Sequence, residues 1–219
     1  YFAAVHGTPS FDTKVLRQWT GGLYAHYSEL FKQGNPPPYG VFLRYNPVNA
    51  GGGVGLHRSF VTTFGTGDPA EADNLKSTLA HEMFHTFQPY MDEPSGLESS
   101  WFSEGLATFY QTRLPARFGY STPELFLEDV NYTAGRYYTS VMKNVPNSEI
   151  QAGFWRDTRI RTLPYDRGML YFATINHALT MKSAGAMSLE DLVLEILPQQ
   201  KTDEVVDTPT WTHLDAETL

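Results

Sequence analysis

The pentapeptide His81-Glu82-Met83-Phe84-His85 limits how this 219-residue chain can fold more than any other part of its sequence. Positions four apart on an α-helix differ by roughly 400° of rotation, so the two histidines lie on one face, one turn apart. Two neutral imidazoles at this spacing can bind one Zn²⁺ ion. Glu82 lies about 100° around the helix, where its carboxylate can reach an attacking water without binding the metal. The motif therefore predicts a helix that carries two zinc ligands, His81 and His85, and a general base, Glu82.

A third acidic residue follows the motif at a spacing that suits the same ion. Eighteen residues separate His85 from Glu104. A proline–serine–glycine turn signal at 94–96 ends the first helix, and Ser95 with Glu98 has the pattern of a capping box that opens a second helix. We therefore predict that Glu104 approaches from a neighbouring antiparallel helix and completes a site for one Zn²⁺ ion per chain.

The remaining segments predict a small antiparallel sheet followed by helices. Ser10 is the predicted N-cap of a helix from about residue 11 to 31. Residues 39–45 and 56–64 alternate as β-strands do, and a glycine-rich loop at 46–55 separates them. Further helices are predicted at about 71–90, 97–112, 123–138 and 167–182, and a last one, opened by a capping box of Ser188 and Asp191, ends near 198.

These elements predict an α+β fold in one catalytic domain. The sheet-containing part covers about residues 1–67, a helical lobe covers about 68–198, and a polar segment covers 199–219. Binding clefts commonly form between lobes, so we expect the zinc site to lie between the sheet and the helices.

Composition excludes several classes of partner. The net charge of −8 argues against a surface that binds nucleic acid or an anionic membrane. The chain has no cysteine, and no apolar run reaches the roughly 18–20 residues that cross a bilayer. It begins with tyrosine and has no signal-peptide pattern, so we expect a processed or trimmed piece. The oligomeric state stays open, and we favour a periplasmic or secreted location over a cytoplasmic one.

The zinc motif, its spacing to Glu104 and the segment Trp101-Phe-Ser-Glu-Gly-Leu-Ala107 resemble gluzincin metallopeptidases of the aminopeptidase N type. Within that group they most resemble the bacterial glycyl aminopeptidase family. Thermolysin itself is a poorer match, because its Glu-x-x-x-Asp pattern would need Asp where this chain has Thr108. The resemblance implies a thermolysin-like gluzincin catalytic domain that acts on peptides.

A second element of that resemblance is Tyr165-Asp-Arg-Gly168. It is similar to the family's Y-x-K-G element, with Arg167 in place of the lysine. A phenol O–H is a suitable donor to the oxyanion that forms when water attacks a peptide carbonyl. The resemblance therefore implies that Tyr165 stabilises the transition state.

Gly55, Leu56, His57 and Arg58 are the predicted substrate-binding residues. Glycines let a backbone approach a ligand closely, and an edge strand can pair with an extended peptide. The family has a similar segment, G-G-L-E-H-R, whose glutamate helps to hold the free amino terminus of the substrate. This chain has no glutamate between Leu56 and His57.

The sequence thus predicts zinc-dependent hydrolysis of peptide bonds. The resemblance favours an aminopeptidase with a preference for small or glycyl N-terminal residues. Two alternatives stay open: a zinc endopeptidase of the same fold, and a catalytically silent module that keeps zinc and binds peptides. Glu82 weighs against the silent module, because degenerate enzymes usually lose the base.

Overall fold

The protein is described by a computed structural model that covers residues 1–32, 34, 36, 38–56, 58–68, 70–88, 91 and 94–200. A four-stranded sheet and a series of helices confirm the predicted α+β class. The strands are β1 (Phe2–His6), β2 (Gly40–Tyr45), β3 (Gly53–Leu56) and β4 (Ser59–Phe64). The helices are α1 (Thr13–Leu30), α2 (Glu71–Phe84), α3 (Ser100–Arg117), α4 (Pro123–Thr139), α5 (Ile150–Gly153), α6 (Thr158–Arg161), α7 (Leu163–Lys182) and α8 (Leu189–Gln200).

The sheet is mixed, so the prediction of an antiparallel sheet was wrong. Its strand order is β1-β2-β4-β3, with parallel pairs β1–β2 and β2–β4 and an antiparallel pair β3–β4. β1 was not predicted from the sequence, and helix α1 connects it to β2. A helical crossover returns the chain to the same end of the sheet, which makes the two strands parallel. Residues 53–55 of β3 fall in the predicted loop at 46–55, although β3 pairs with β4 along its whole length.

The hairpin of β3 and β4 has one covered face and one exposed face. Gly55 lies directly opposite Phe60, whose side chain is fully buried. Side chains of directly opposed residues share a face, so Gly55 faces the covered side of the sheet. Val54 and Leu56 point the other way, and all four residues of β3 are exposed.

One compact unit comprises residues Tyr1–Phe87 and Tyr110–Pro123. Phe84 packs its ring against Tyr27 and Phe31 of the α1 region, with centroids 6.4 and 5.6 Å apart, and against Tyr110 at 4.8 Å. All four rings are buried, and aromatic side chains dominate core energetics through the area that they bury. This packing fixes the end of α2 that carries His85.

The second compact unit comprises residues Gln88–Phe109 and Glu124–Leu219. In its described part, Trp101 stacks on Phe172 with centroids 6.1 Å apart, and Phe102 meets the same ring edge-on at 5.6 Å. A further buried cluster contains Ile150, Phe154 and Leu163. Helix α3 contributes its first ten residues to this unit and its remaining residues to the other.

Several helix ends differ from the prediction. Helix α1 is capped by Asp12 rather than Ser10, and the Asp12 carboxylate accepts hydrogen bonds from the amides of Lys14 and Val15 at 2.7 and 3.3 Å. Both residue types are good N-caps, but the extended backbone of Asp12 starts the helix later. Ser10 instead donates to the carbonyl of Asp68 at 3.2 Å.

The two helices of the predicted zinc site also have corrected bounds. Helix α2 ends at Phe84 rather than near residue 90, and His85 is its C-cap with a backbone that is still helical (φ −54°, ψ −23°). The predicted capping box of Ser95 and Glu98 opens a 3₁₀ turn, Gly96–Glu98, and Ser95 makes no side-chain cap bond there. Helix α3 follows from Ser100.

Two later predictions are confirmed at their N-termini and one is corrected. Helix α4 begins at Pro123 as predicted. The carboxylate of Asp191 accepts from the amide of Ser188 at 2.8 Å before α8. Helix α7 begins at Leu163 rather than 167, because Pro164 fits the first turn of a helix, and Tyr165 therefore lies inside α7. Of the predicted C-terminal segment, residues 201–219 lie outside the described residues.

No helix in the described part of the chain is both long and apolar enough to cross a membrane.

Candidate metal centre

The two motif histidines present the same nitrogen to a common point. The Nε2 atoms of His81 and His85 lie 3.3 Å apart, and the ring planes are nearly perpendicular at 83°. Two nitrogens bound to a tetrahedral zinc at about 2.0–2.1 Å are separated by about 3.3–3.4 Å. The spacing therefore fits one ion bound by both imidazoles.

Glu104 joins the two histidines. The possible ligand atoms of His81, His85 and Glu104 all lie within 4.8 Å of one another. His81 is buried and the other two residues are partly buried. Two imidazoles and one carboxylate form a donor set that catalytic zinc sites use, with a further position left for water or substrate. The group could hold a metal ion, and it contains all three residues that the sequence predicted.

Gln111, which the sequence analysis missed, orients His81. Its Oε1 lies 3.1 Å from Nδ1 of His81. An amide oxygen only accepts hydrogen bonds, so this contact places the imidazole proton on Nδ1 and leaves the Nε2 lone pair for a metal. Gln111 follows Glu104 by seven residues on α3, about 20° short of two full turns, so both lie on one helix face. That spacing is the signal that could have identified it.

Removing this hydrogen bond should weaken metal binding. We expect Gln111→Leu to lower zinc affinity about 10–100-fold, because the ring of His81 loses its orienting partner. Gln111→Glu keeps an acceptor at the same place and should retain or improve the affinity. Competition with a chelator of known affinity measures both variants. Equal affinities for Gln111→Leu and the wild type would contradict this role.

Glu82 is partly buried and lies near a second residue that the sequence analysis did not select. Burial raises the pKa of the Tyr39 phenol, and the negative charge of Glu82 raises this pKa further. Tyr39 is almost fully buried and forms a hydrogen bond with the side chain of Thr86. Its hydroxyl therefore stays neutral beside the carboxylate of Glu82 throughout the ordinary pH range.

Helices α3 and α7 cross at two glycines that belong to the two predicted motifs. A Cβ atom built on Gly105 would lie 2.4 Å from Cα of Gly168, and one built on Gly168 would lie 2.0 Å from the carbonyl oxygen of Trp101. These neighbours are backbone atoms that cannot rotate away, so only glycine fits at either position. Gly105 directly follows Glu104, and Gly168 ends the element that begins with Tyr165. The crossing therefore explains why each motif contains its glycine.

The residue that follows Tyr165 forms a buried ion pair. Asp166 is 1% exposed, and its carboxylate accepts from Nε of Arg136 at 2.9 and 3.1 Å and also from Nη2. Burial raises the pKa of Asp166, and the guanidinium of Arg136 opposes that rise. The bidentate geometry holds the first turn of α7 against α4.

Arg167 anchors the same turn to a loop. Its guanidinium donates to the carbonyls of Lys143 and Val145 at 3.1 and 2.7 Å, and to the side chain of Asn147. A planar guanidinium can serve several acceptors at once, whereas a lysine offers a single point charge. These three acceptors give a structural reason for arginine rather than lysine at position 167.

The predicted substrate-binding residues lie on and after the edge strand β3. Gly55 and Leu56 belong to β3, which ends the strand order. Arg58 has a left-handed backbone (φ 51°), and its carbonyl accepts from the amide of Gly40 at 3.1 Å. Burial raises the pKa of Tyr24, and the charge of Arg58 opposes part of that rise. His57 lies outside the described residues. The structure thus brings Gly55 and Leu56 to a sheet edge.

Comparison with known proteins supports the fold. No protein-family model matches the chain, and no curated protein matches it. Among solved structures, an aminopeptidase N family protein from Idiomarina loihiensis is similar, with a TM-score of 0.77 and 16% sequence identity. The alignment covers 97% of this chain but 41% of that protein, so the chain spans less than half of its length. The chain therefore has the fold of a domain of that protein, with a candidate metal centre.

Proposed function

We propose that the protein is a zinc-dependent peptidase, and that it acts as an aminopeptidase with a preference for small or glycyl N-terminal residues. The observation that carries the proposal is the group of His81, His85 and Glu104, with histidine nitrogens 3.3 Å apart. The motif that supplies the two histidines also places Glu82 beside them. The fold shared with an aminopeptidase N family protein agrees with this class of reaction.

The chain's own residues divide the work as follows. His81, His85 and Glu104 hold the ion. When bound, the ion acts as a Lewis acid that polarises a carbonyl and lowers the pKa of water. Glu82 takes the proton from the attacking water and delivers it to the leaving amine. The hydroxyl of Tyr165 donates a hydrogen bond to the oxyanion, where a positioned donor is most effective.

An extended peptide pairs with the backbone of β3. Its strand-like hydrogen bonds supply affinity without regard to sequence, and side-chain pockets supply specificity. Gly55 lets the peptide approach closely, because it has no side chain to hold the two backbones apart. Leu56 and Arg58 continue the binding segment at the end of the strand.

A zinc endopeptidase is the second candidate, and the segment around Leu56 favours it. A buried ammonium group needs a carboxylate partner. The family's glutamate has no counterpart between Leu56 and His57. An enzyme without that carboxylate lacks one partner for the ammonium group of a free amino terminus, so its substrates do not need to have one.

Paired peptides that differ only in N-acetylation test the proposal on the zinc-loaded protein, with glycyl and alanyl termini included. We expect the free peptides to lose their first residue and acetylation to abolish this cleavage. His81→Ala, which should lose stoichiometric zinc by elemental analysis, is the control for metal dependence. Internal cleavage of acetylated peptides at comparable kcat/KM would instead establish the endopeptidase. If the zinc-loaded wild type cuts no peptide, both peptidase hypotheses fail and the catalytically silent binding module is the hypothesis that stands.

A further inference from the structure

Gly55 lies directly beside the carboxylate of Glu82. A Cβ atom built on Gly55 would lie 2.8 Å from Oε2 and 4.0 Å from Cδ of Glu82. Among the described residues beyond its chain neighbours, Glu82 supplies the atoms that this Cβ would meet within 4 Å. The strand alternation that turns Val54 and Leu56 away leaves position 55 facing Glu82. The space that a side chain would fill is thus occupied by the proposed general base.

The neighbouring glycine on the same face has a different neighbour. A Cβ atom on Gly53 would lie 2.2 Å from Cζ of Phe60 and 2.9 Å from the carbonyl oxygen of Val61. Phe60 is fully buried, so Gly53 is required by the packing of the core. Gly55 meets only the end of a side chain that can rotate. Packing therefore explains Gly53 and does not explain Gly55.

Strand stability does not explain Gly55 either. Glycine loses more conformational freedom on folding than other residues, and a glycine inside a strand weakens that strand. Gly55 has no need of a left-handed backbone, because it is part of the regular pairing of β3 with β4. Alanine at this position would favour the strand and cost only a shift of the Glu82 carboxylate.

We propose that Gly55 is a positioning residue for Glu82: its missing side chain leaves the space in which the carboxylate must lie to take a proton from water. This inference rests on the proposed function, since it assigns the purpose of that space to catalysis. A displacement of about 1 Å in a catalytic group can cost about 10²-fold in rate. The carboxylate must move away from an added Cβ, because real Cβ contacts under 3.0 Å are essentially never found.

The test compares Gly55→Ala with two control variants of the β3–β4 hairpin. In Gly55→Ala we expect kcat to fall about 10²-fold, with stoichiometric zinc and a Tm that is unchanged or raised. Val61→Ala, on β4 and on the face opposite to that of Gly55, should keep kcat and KM. Gly53→Ala should lower Tm, because the new Cβ would clash with the ring of Phe60. Loss of zinc from Gly55→Ala, or a lower Tm of this variant, would overturn the proposal, because the defect would then be structural.

A double-mutant cycle with Glu82→Asp identifies the partner of Gly55. Aspartate is one methylene shorter, so its carboxylate withdraws from position 55. We expect Gly55→Ala to reduce kcat much less in the Glu82→Asp background than in the wild type, which is the non-additivity of residues in contact. Equal fold-losses in the two backgrounds would overturn the proposal.

Two results separate this inference from the proposed function. If the wild type cuts peptides and Gly55→Ala cuts them equally well, the inference fails and the function stands. Crystal structures of the zinc-loaded wild type and Gly55→Ala decide the point without turnover, even if no peptide is cut. We expect Oε2 of Glu82 to move until it lies at an ordinary contact distance of 3.4 Å or more from the new Cβ. A wild-type position for the carboxylate would overturn the inference.

Discussion

Replacement of Glu82 by glutamine should leave zinc in place and lower kcat about 10²–10⁴-fold, the usual cost of losing a general acid or base. Glutamine has nearly the same shape and keeps the contacts of the side chain, but it cannot take a proton. Since Glu82 is not one of the three residues that form the ligand group, the variant should bind zinc with wild-type stoichiometry. Elemental analysis and steady-state kinetics on a glycyl peptide measure the two quantities on one sample.

His81→Ala provides the contrasting defect. It should lose metal and activity together, whereas Glu82→Gln should lose activity alone. Near-normal hydrolysis by zinc-loaded Glu82→Gln would remove Glu82 from the mechanism. Loss of zinc in that variant would show that Glu82 also supports the metal group, and the proposed separation of base from ligands would then be wrong.

The candidate site could be predicted from sequence because its parts are spacings along the chain, either within one helix or across one turn between two helices. The four-residue spacing of His81 and His85 fixes a common face once the segment is helical. Glu104 was predicted from its distance along the chain and a turn signal, although the helix that carries it begins later than expected. Errors of a few residues at helix ends do not alter which residues share a face. The prediction of the ligand group therefore did not depend on the exact ends of the helices.

Residues that act through contacts between distant segments could not be predicted in this way. Gln111 is identified by its hydrogen bond to His81, and Tyr39 by the effect of Glu82 on its pKa. The spacing of Gln111 from Glu104 indicates a shared helix face but not that His81 is the partner of Gln111, and the contact of Tyr39 with Glu82 leaves no local pattern in the sequence. The positions of Gly55 and Gly168 likewise acquire meaning only when the atoms opposite them are known.

The mixed sheet was missed for related physical reasons. β3 contains two glycines in four residues, and low strand propensity indicates a loop when a segment is considered alone. Pairing with β4 overrides that propensity. β1 is short, and its alternation of exposed and partly buried residues is weak. Its parallel pairing with β2 depends on a helical crossover, which a search for hairpins does not detect.

Removal of Arg136 should destabilise the protein by about 3 kcal/mol, because it leaves the carboxylate of Asp166 buried without its partner. This value is at the lower end of the cost of breaking a buried ion pair. The reason is that the Arg136 side chain is 37% exposed, although that of Asp166 is only 2% exposed. Arg136→Met retains most of the apolar stem and deletes the charge. Urea unfolding of the variant and the wild type at several pH values measures the difference.

The pH dependence of that difference identifies the buried charge. Without the guanidinium, the already raised pKa of Asp166 rises further. An acid whose pKa is raised in the folded state contributes stability at low pH that is lost as the pH rises through the folded value. The deficit of Arg136→Met should therefore be smaller at mildly acidic pH than at neutral pH. A deficit that does not change with pH would assign the loss to packing instead.

A double variant, Arg136→Met with Asp166→Leu, separates stability from the placement of Tyr165. Exchange of a buried ion pair for apolar side chains is often neutral or stabilising, so we expect the double variant to recover most of the unfolding free energy. The kcat of this double variant then shows whether the ion pair also positions Tyr165. Recovery of kcat would show that the ion pair serves the fold alone. A kcat that stays low in a stable, zinc-loaded double variant would show that the pair positions Tyr165, because Asp166 is the next residue in the first turn of α7.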